Sequence, residues 1–273
     1  GDRRDPAGRA TLGRMRRFAR SGPLMQWLWA FLGKAAMAPG LVWVIGGEIV
    51  GNVSLRRSRS GSGYVIGNVV VHPDYQGRGV GGALMRRAMK VVSQRGVPWV
   101  GLEVRADNAV ARTMYEGLSF QEVGRTHHLI REPGGGHVEK PDAEGAVRRA
   151  GRQDAGALIR LMERVIPAEQ RPLLEKTPDD YRPSWARRID HWIRCEDEIW
   201  WVVQEGEEIR GAVRAVRKMG GLPHRLEILV RPSAADLASA LVRRGLAKLA
   251  GTNRAIASAV PSPAQPALTA LSA

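Results

Sequence analysis

The sequence predicts an α/β (α+β) chain of two domains, each a mixed, mostly antiparallel twisted sheet flanked by helices. Three observations predict it. Apolar runs of strand length alternate with stretches whose apolar residues recur at helical spacing. The order of these elements repeats along the chain: Gly47-Glu-Ile-Val-Gly51 is echoed by Glu207-Glu-Ile-Arg-Gly211, and Val70-Val-His-Pro73 by Leu229-Val-Arg-Pro232, with a helix after each member of the second pair. Between the copies lies a stretch rich in Gly, Pro and charge, Glu132-Pro-Gly-Gly-Gly-His137 and onward to Gly145. The expected division is therefore a first domain over 1–132, a linker over 133–145 and a second, incomplete domain over 146–273.

Within the first half, Arg9–Leu32 reads as helical with a break at Gly22-Pro23. Leu41–Ile45 and Ile49–Leu55 are apolar runs joined by Gly46-Gly47-Glu48, a hairpin signal. Tyr64–Val71 reads as the third strand. Over Gly81–Gln94 the apolar Leu84, Met85, Ala88, Val91 and Val92 mark one face of a helix. Val97–Val104 is a buried strand, Ala109–Gly117 a short helix, and Phe120–Ile130 a further strand of the same half. The second half gives a helix at Ala155–Val165, strands at Glu198–Gln204, Ile209–Val216 and Arg225–Val230, and a helix at Ala234–Leu249. After a strand at Ala255–Val260 and a short helix at Ala267–Ser272 too little remains to complete a sheet, so either the chain is truncated or the halves share strands.

The 273 residues carry a formal charge of +15 and one cysteine, Cys195. A single cysteine excludes an internal disulfide framework and a cysteine-built zinc site, and fits a reducing, cytoplasmic setting. Residues 1–140 hold 21 Lys/Arg against 10 Asp/Glu, so most of the excess charge lies in the first half. A positive field suits anionic partners, a phosphate-bearing cofactor among them. Arginine far outnumbers lysine, as a coding bias would also produce, which argues against reading the charge as nucleic-acid binding. Arginines before Pro23–Leu32, and Ala35-Ala36-Met37-Ala38 after it, imitate a signal peptide. That apolar run is too short to span a bilayer, and a helix or lid packed within the fold is the preferred reading, so no membrane partner is expected.

The chemistry concentrates in Val69-Val-Val-His-Pro-Asp-Tyr-Gln-Gly-Arg-Gly-Val-Gly-Gly82. A strand runs into a glycine-rich turn and then into a helix. Such a turn aims successive main-chain N–H groups at one point, and the helix N-terminus adds partial positive charge. Glycines admit positive φ and let phosphate oxygens approach where a Cβ would intervene. Arg78 is placed to add a charge-assisted contact. No Gly-Lys-Ser/Thr follows, so this is no P-loop.

Val71-His-Pro-Asp-Tyr-Gln-Gly-Arg-Gly-Val-Gly81 resembles the acetyl-CoA pyrophosphate loop of the GNAT N-acetyltransferase superfamily. Downstream, Leu102-Glu-Val-Arg-Ala-Asp-Asn-Ala-Val-Ala-Arg-Thr-Met-Tyr-Glu-Gly-Leu-Ser-Phe120 resembles that family's next strand and helix, with particular closeness to the ribosomal-protein alanine N-acetyltransferases. The resemblance implies a GNAT domain in the first half and a degenerate GNAT-like copy in the second, whose loop at 229–237 has no glycine and is expected to bind no cofactor.

The resemblance also implies roles. Acetyl-CoA is the co-substrate and no metal is needed. Pantetheine would lie along the exposed backbone of Val69, Val70 and Val71, and the pyrophosphate on Gln76, Gly77, Arg78, Gly79, Val80, Gly81 and Gly82. Asn108, Ala111 and Tyr115 would meet the cofactor from the following helix, although Asn108 also suits a helix N-cap. Glu103 is the candidate base, unless an ordered water serves, and Tyr115 the candidate general acid. The N–H of Val71 would polarise the thioester carbonyl. The acceptor is a small-molecule amine or a peptide N-terminus; a homodimer stays open, as does a non-catalytic acetyl-CoA-binding protein. One departure is Ser119, where the family has a glycine at a position favouring positive φ, a cost of about 1 kcal/mol.

Overall fold

A computed structural model describes residues 40–134, 147–182, 196–219, 222–249 and 253–262, with Leu271. The expected helix at Arg9–Leu32, with Trp27, Trp29 and Phe31, lies outside the described residues, as do Cys195, most of the linker and all of the expected helix at Ala267–Ser272 but Leu271. The chain divides into two compact units between Gln121 and Glu122.

The first unit is built on four strands in the order β1 (Gly40–Ile45), β2 (Glu48–Arg57), β3 (Gly63–Val71) and β4 (Trp99–Leu102). The first three run antiparallel and β4 runs parallel to β3. Gly46 and Gly47 both hold positive φ, 58° and 86°, so the β1–β2 hairpin closes through the tight turn whose twist matches its strands. Helix α1 (Val80–Ser93) buries Leu84, Met85, Ala88 and Val92 in one cluster with Val53, Leu55, Tyr64 and Ile66 of the sheet. These are core positions that the helical spacing predicted, apart from Val91, which is only partly buried. Helix α2 (Ala109–Glu116) follows β4 and adds Tyr115 to the same core.

One irregularity decides what this sheet can do. Pairing between β3 and β4 runs only from Gly63/Trp99 to Ile66/Leu102 and then stops. On its other side β3 slips register against β2 between Asn52 and Ser54, and opposite the slip Asn68 takes φ 51°. Asn tolerates this left-handed conformation better than most residues. The bulge is pinned by Asn52 Nδ2 donating to Asn68 O at 3.0 Å. Bulges bend the strand that carries them, and here the bend leaves residues 67–71 with a strand neighbour on the β2 side only among the described residues.

The second unit holds a six-stranded sheet in the order β5 (Thr126–Arg131), β10 (Ile256–Pro261), β9 (His224–Val230), β8 (Glu208–Lys218), β7 (Glu196–Glu205) and β6 (Val147–Arg149), with helices α3 (Ala155–Val165) and α4 (Leu237–Leu249). Its core gathers Leu158, Leu161 and Met162 of α3, Val202, Val213 and Ile228 of the sheet, and Leu241 of α4. The expected strand Phe120–Ile130 is shorter, Thr126–Arg131, and it does not join the first sheet. It pairs antiparallel with β10 throughout, from Thr126 opposite Pro261 to Arg131 opposite Ile256. The second sheet thus takes in a strand from the expected first half. Strand order follows hydrogen-bond partners, which a single-chain pattern does not encode.

A polar row crosses this sheet. Trp200 of β7 stands opposite Arg214 of β8, which stands opposite Glu227 of β9. Glu227 accepts from Lys176 Nζ at 2.5 Å and from the fully buried Tyr181 hydroxyl at 2.7 Å, and Arg214 reaches it at 3.4 Å. Arg214 is also paired with Glu198 at 2.5 Å, and Glu198 accepts from Trp200 Nε1. Burial pushes the Tyr181 hydroxyl up, and the neighbouring Glu227 adds to it. Burial alone would also raise the Glu227 carboxyl, but Lys176 and Arg214 outweigh it and hold that group at about 2.

Candidate active site

Three pieces of the first unit converge: the bent end of β3, the loop into α1, and α2. A Cβ on Gly81 would stand 3.4 Å from Met114 Sδ of α2 and 3.6 Å from Val71 Cγ2 of β3.

The edge of β3 comes first. His72 N–H donates to Val50 O on β2 at 2.8 Å, and backbone groups of successive strand residues point alternately to either side. Val69 and Val71 therefore turn their backbone groups away from β2, into the gap left by β4, whereas Val70 faces β2. Val71 O is engaged, accepting from Gln76 Nε2 at 3.0 Å. That contact braces the loop and leaves the N–H of Val71 and both groups of Val69 along the open edge.

The loop follows as a short 3-10 turn, Pro73–Tyr75, then Gln76 in extended conformation. Gly77 and Gly79 hold φ of 72° and 78°, a region costly for a side-chain-bearing residue, and a Cβ at either would meet nothing within 4 Å. The space above the turn is open. Gly79 is the N-cap of α1 and offers no side-chain cap. Ala83 N–H is the first in α1 to find an acceptor, on Gly79 O at 3.0 Å. The main-chain N–H groups from Gly77 to Gly82 accordingly have no acceptor among the described residues. Adjacent unpaired donors at a helix N-terminus form an anion cradle. Arg78 is exposed, its guanidinium 5.4 Å from the centre of the Tyr75 ring.

Past β4, Glu103 is exposed and lies one residue beyond the strand rather than on it. Arg105 and Asp107 pair at 2.6 Å across the turn into α2, and the hydrogen bond from Arg105 holds the Asp107 carboxyl below the usual carboxylate range. Asn108 is the N-cap of α2: its Oδ1 accepts from Ala111 N–H at 3.1 Å, so the capping role expected of it is filled and the Ala111 amide is used.

Tyr115 is positioned by the end of that helix. Phe120 N–H donates to Tyr115 O at 3.1 Å and Ser119 N–H to Glu116 O at 2.9 Å, the bonding pattern of a Schellman cap. The apolar contact that accompanies such caps is also there, the Phe120 ring edge-on to Tyr115 with centroids 5.9 Å apart. Tyr115 is 8% exposed, and burial raises its hydroxyl above the ordinary tyrosine value. It stays protonated at neutral pH, and no described residue hydrogen-bonds the hydroxyl. The cap requires positive φ at Ser119, and Ser119 holds φ 64°. Ser119→Gly should therefore raise stability by about 1 kcal/mol, read as a higher denaturant midpoint.

Sequence reading missed the Asn68 bulge, Met114 beside Gly81, and the brace from Gln76 to Val71. A lone asparagine in a valine-rich strand was the signal available for the first; nothing local marked the other two.

The second unit repeats the frame without the bulge. Gly211 opposite Val230 corresponds to Gly51 opposite Val71, and β8–β9 pairing continues without a bulge. Counting from that register, Glu227 occupies the place of Asn68. His224 opposite Ile256 corresponds to Val65 opposite Gly101, which sets Ser258 in the place of Glu103. In the loop, Arg231 N–H donates to Arg210 O at 3.2 Å, Ala234 N–H to Arg231 O, and Ala238 N–H to Ala235 O. The first two match His72 N–H to Val50 O and Tyr75 N–H to His72 O in the first loop; only Ala238, in the place of Gly79, finds an acceptor where its counterpart has none among the described residues.

Among the described residues no helix is long and apolar enough to cross a membrane. Residues 14–120 match the acetyltransferase (GNAT) family. An acetyltransferase of Sodalis glossinidius is 40% identical over 82 residues, which is 30% of this chain and 56% of that protein. The ribosomal protein bS18 alanine N-acetyltransferase of Escherichia coli is 47% identical over 55 residues, 20% of this chain and 37% of that protein. The chain spans about half the length of the curated relatives it matches. A solved tandem GNAT protein from the clavulanic acid biosynthesis pathway superposes with TM-score 0.55 at 14% identity, over 88% of this chain and 81% of its own. Residues 14–120 thus carry the match to the acetyltransferase (GNAT) family, in a chain that has the fold of a tandem GNAT protein.

Proposed function

We propose that the first unit transfers an acetyl group from acetyl-CoA to a primary amine by direct attack in a ternary complex. The observation that carries this reading is the run of unpartnered N–H groups from Gly77 to Gly82 beside the open edge of β3. A diphosphate fits such donors, and an extended amide-bearing chain fits a strand edge. Val69 and Val71 would hold the pantetheine by main-chain bonds, with the Val71 N–H left to polarise a carbonyl oxygen. Arg78, with its exposed guanidinium, would add positive charge at the diphosphate. Ala111 would meet the cofactor through its side chain, since its amide is engaged by Asn108.

Acetyl-CoA supplies the activated acyl group and a thiolate leaving group. The protein must deprotonate the amine and return a proton to the thiolate. Glu103, at the mouth of the gap between β3 and β4, is suited to the first task, directly or through a water. Tyr115, protonated at neutral pH and with no hydrogen-bond partner for its hydroxyl among the described residues, is suited to the second. A peptide N-terminus is the acceptor class that the bS18 enzyme's name suggests, and a small amine is the other. The second unit, with no glycine in its loop at 229–237 and serine in the base position, would serve as scaffold. The reaction belongs to the cytoplasm, where acetyl-CoA is made available.

Free-thiol release from acetyl-CoA over a panel of amines and peptide N-termini tests the reading. At least one acceptor should be turned over, and Tyr115→Phe should lower kcat roughly a hundredfold with the KM for acetyl-CoA little changed. Acetyl-CoA binding with no turnover of any acceptor would leave a non-catalytic binding protein.

A further inference from the structure

We propose that Arg86 is a diphosphate-binding residue of the acetyl-CoA site, reaching it across Gly82; the inference rests on the acetyl-CoA reading above. Arg86 lies one helical turn after Gly82 on α1, and side chains of a helix lean back over the turn preceding them. Its guanidinium does so here. Nη1 stands 3.3 Å and Cζ 4.0 Å from where a Cβ on Gly82 would be. The bare Gly82 thus lets a cation lie against the first turn of α1, beside the N–H groups that remain unpartnered.

That placement is electrostatically unfavourable in isolation. The N-terminus of a helix carries partial positive charge, and a guanidinium above it is repelled. Arg86 makes no hydrogen bond or ion pair with any described residue that would offset the repulsion. No acidic residue stands in the first turn of α1. An anion held between guanidinium and helix terminus removes the conflict and satisfies both sets of donors. The planar fork of an arginine suits two phosphate oxygens at once. Arg87, the next residue, is also exposed but projects about 100° further round the helix and away from this turn.

Acetyl-CoA has two kinds of phosphate, the diphosphate and the ribose 3′-phosphate. Contact through the first turn of α1 assigns Arg86 to the diphosphate. The test is calorimetric titration of the full chain and its Arg86→Ala and Arg87→Ala variants with acetyl-CoA and with 3′-dephospho-acetyl-CoA. Arg86→Ala should raise Kd about tenfold for both ligands, the loss of one charge-assisted contact, while Arg87→Ala matches the parent protein. Arg86→Lys should recover part of the affinity. An unchanged Kd in Arg86→Ala overturns the proposal, as does equal weakening by Arg87→Ala. Weakening confined to acetyl-CoA also overturns it, moving the contact to the 3′-phosphate. Should the unsubstituted protein bind neither ligand, the acetyl-CoA reading itself falls.

Discussion

Gly79→Asp should abolish acetyl-CoA binding while leaving the protein folded. A Cβ at this position meets nothing within 4 Å, so the new side chain enters open space. The backbone cost of φ 78° is about 1 kcal/mol, and aspartate both tolerates this region better than most residues and caps helices well. The binding cost is of another order. A carboxylate at the N-cap of α1 would itself accept from the free N–H groups and stand where a diphosphate must come. Two like charges about 4 Å apart repel by about 4 kcal/mol at the effective dielectric of a protein surface, roughly a thousandfold in Kd. Titration with acetyl-CoA, beside a thermal melt, reads both effects. Near-normal affinity in a folded Gly79→Asp protein would remove the cradle from the argument.

The second large effect lies in the other unit. Glu227→Gln should destabilise the protein by about 3–5 kcal/mol, seen as a lower urea midpoint with little change in slope. The amide keeps the volume but leaves Lys176 facing a neutral group and removes one of the two carboxylates around Arg214. The pH dependence follows from the sign of the shift. Glu227 titrates at about 2 in the folded protein against an ordinary 4.5, so its contribution is complete above about pH 4.5 and is lost as pH falls toward 2. That limb of the stability curve amounts to about 3 kcal/mol and should flatten in Glu227→Gln. An equal acid limb in both proteins would show that the ion cluster is not its source.

Much of this was legible in the sequence because it is governed locally. The Gly46-Gly47 turn, the α1 face from Leu84 to Val92 and the glycine loop each follow from residue type at fixed spacing, and positive φ at Ser119 follows from its place after a helix. What escaped depends on partners far along the chain. The free edge of Val69 and Val71 needs both a bulge against β2 and the early end of β4 pairing, and neither strand announces it alone. Glu227 and Arg214 look like surface charges on alternating strands, and only their register and the cover of Lys176 and Tyr181 bury them. The β5 strand was recognised as a strand and misplaced, since a short polar run such as Thr126–Arg131 carries no information about which sheet will hydrogen-bond it.

That placement of β5 bears on how the halves could ever be taken apart. The strand sits ahead of the glycine-rich stretch in sequence yet belongs to the sheet built from residues after it. A peptide-bond break introduced between 135 and 146 would leave six rungs of backbone pairing joining the fragments, so they should co-elute in native buffer and separate only under denaturation. A gene dissected at the same place would yield a C-terminal piece with β10 as a raw sheet margin, prone to recruit strands from its neighbours.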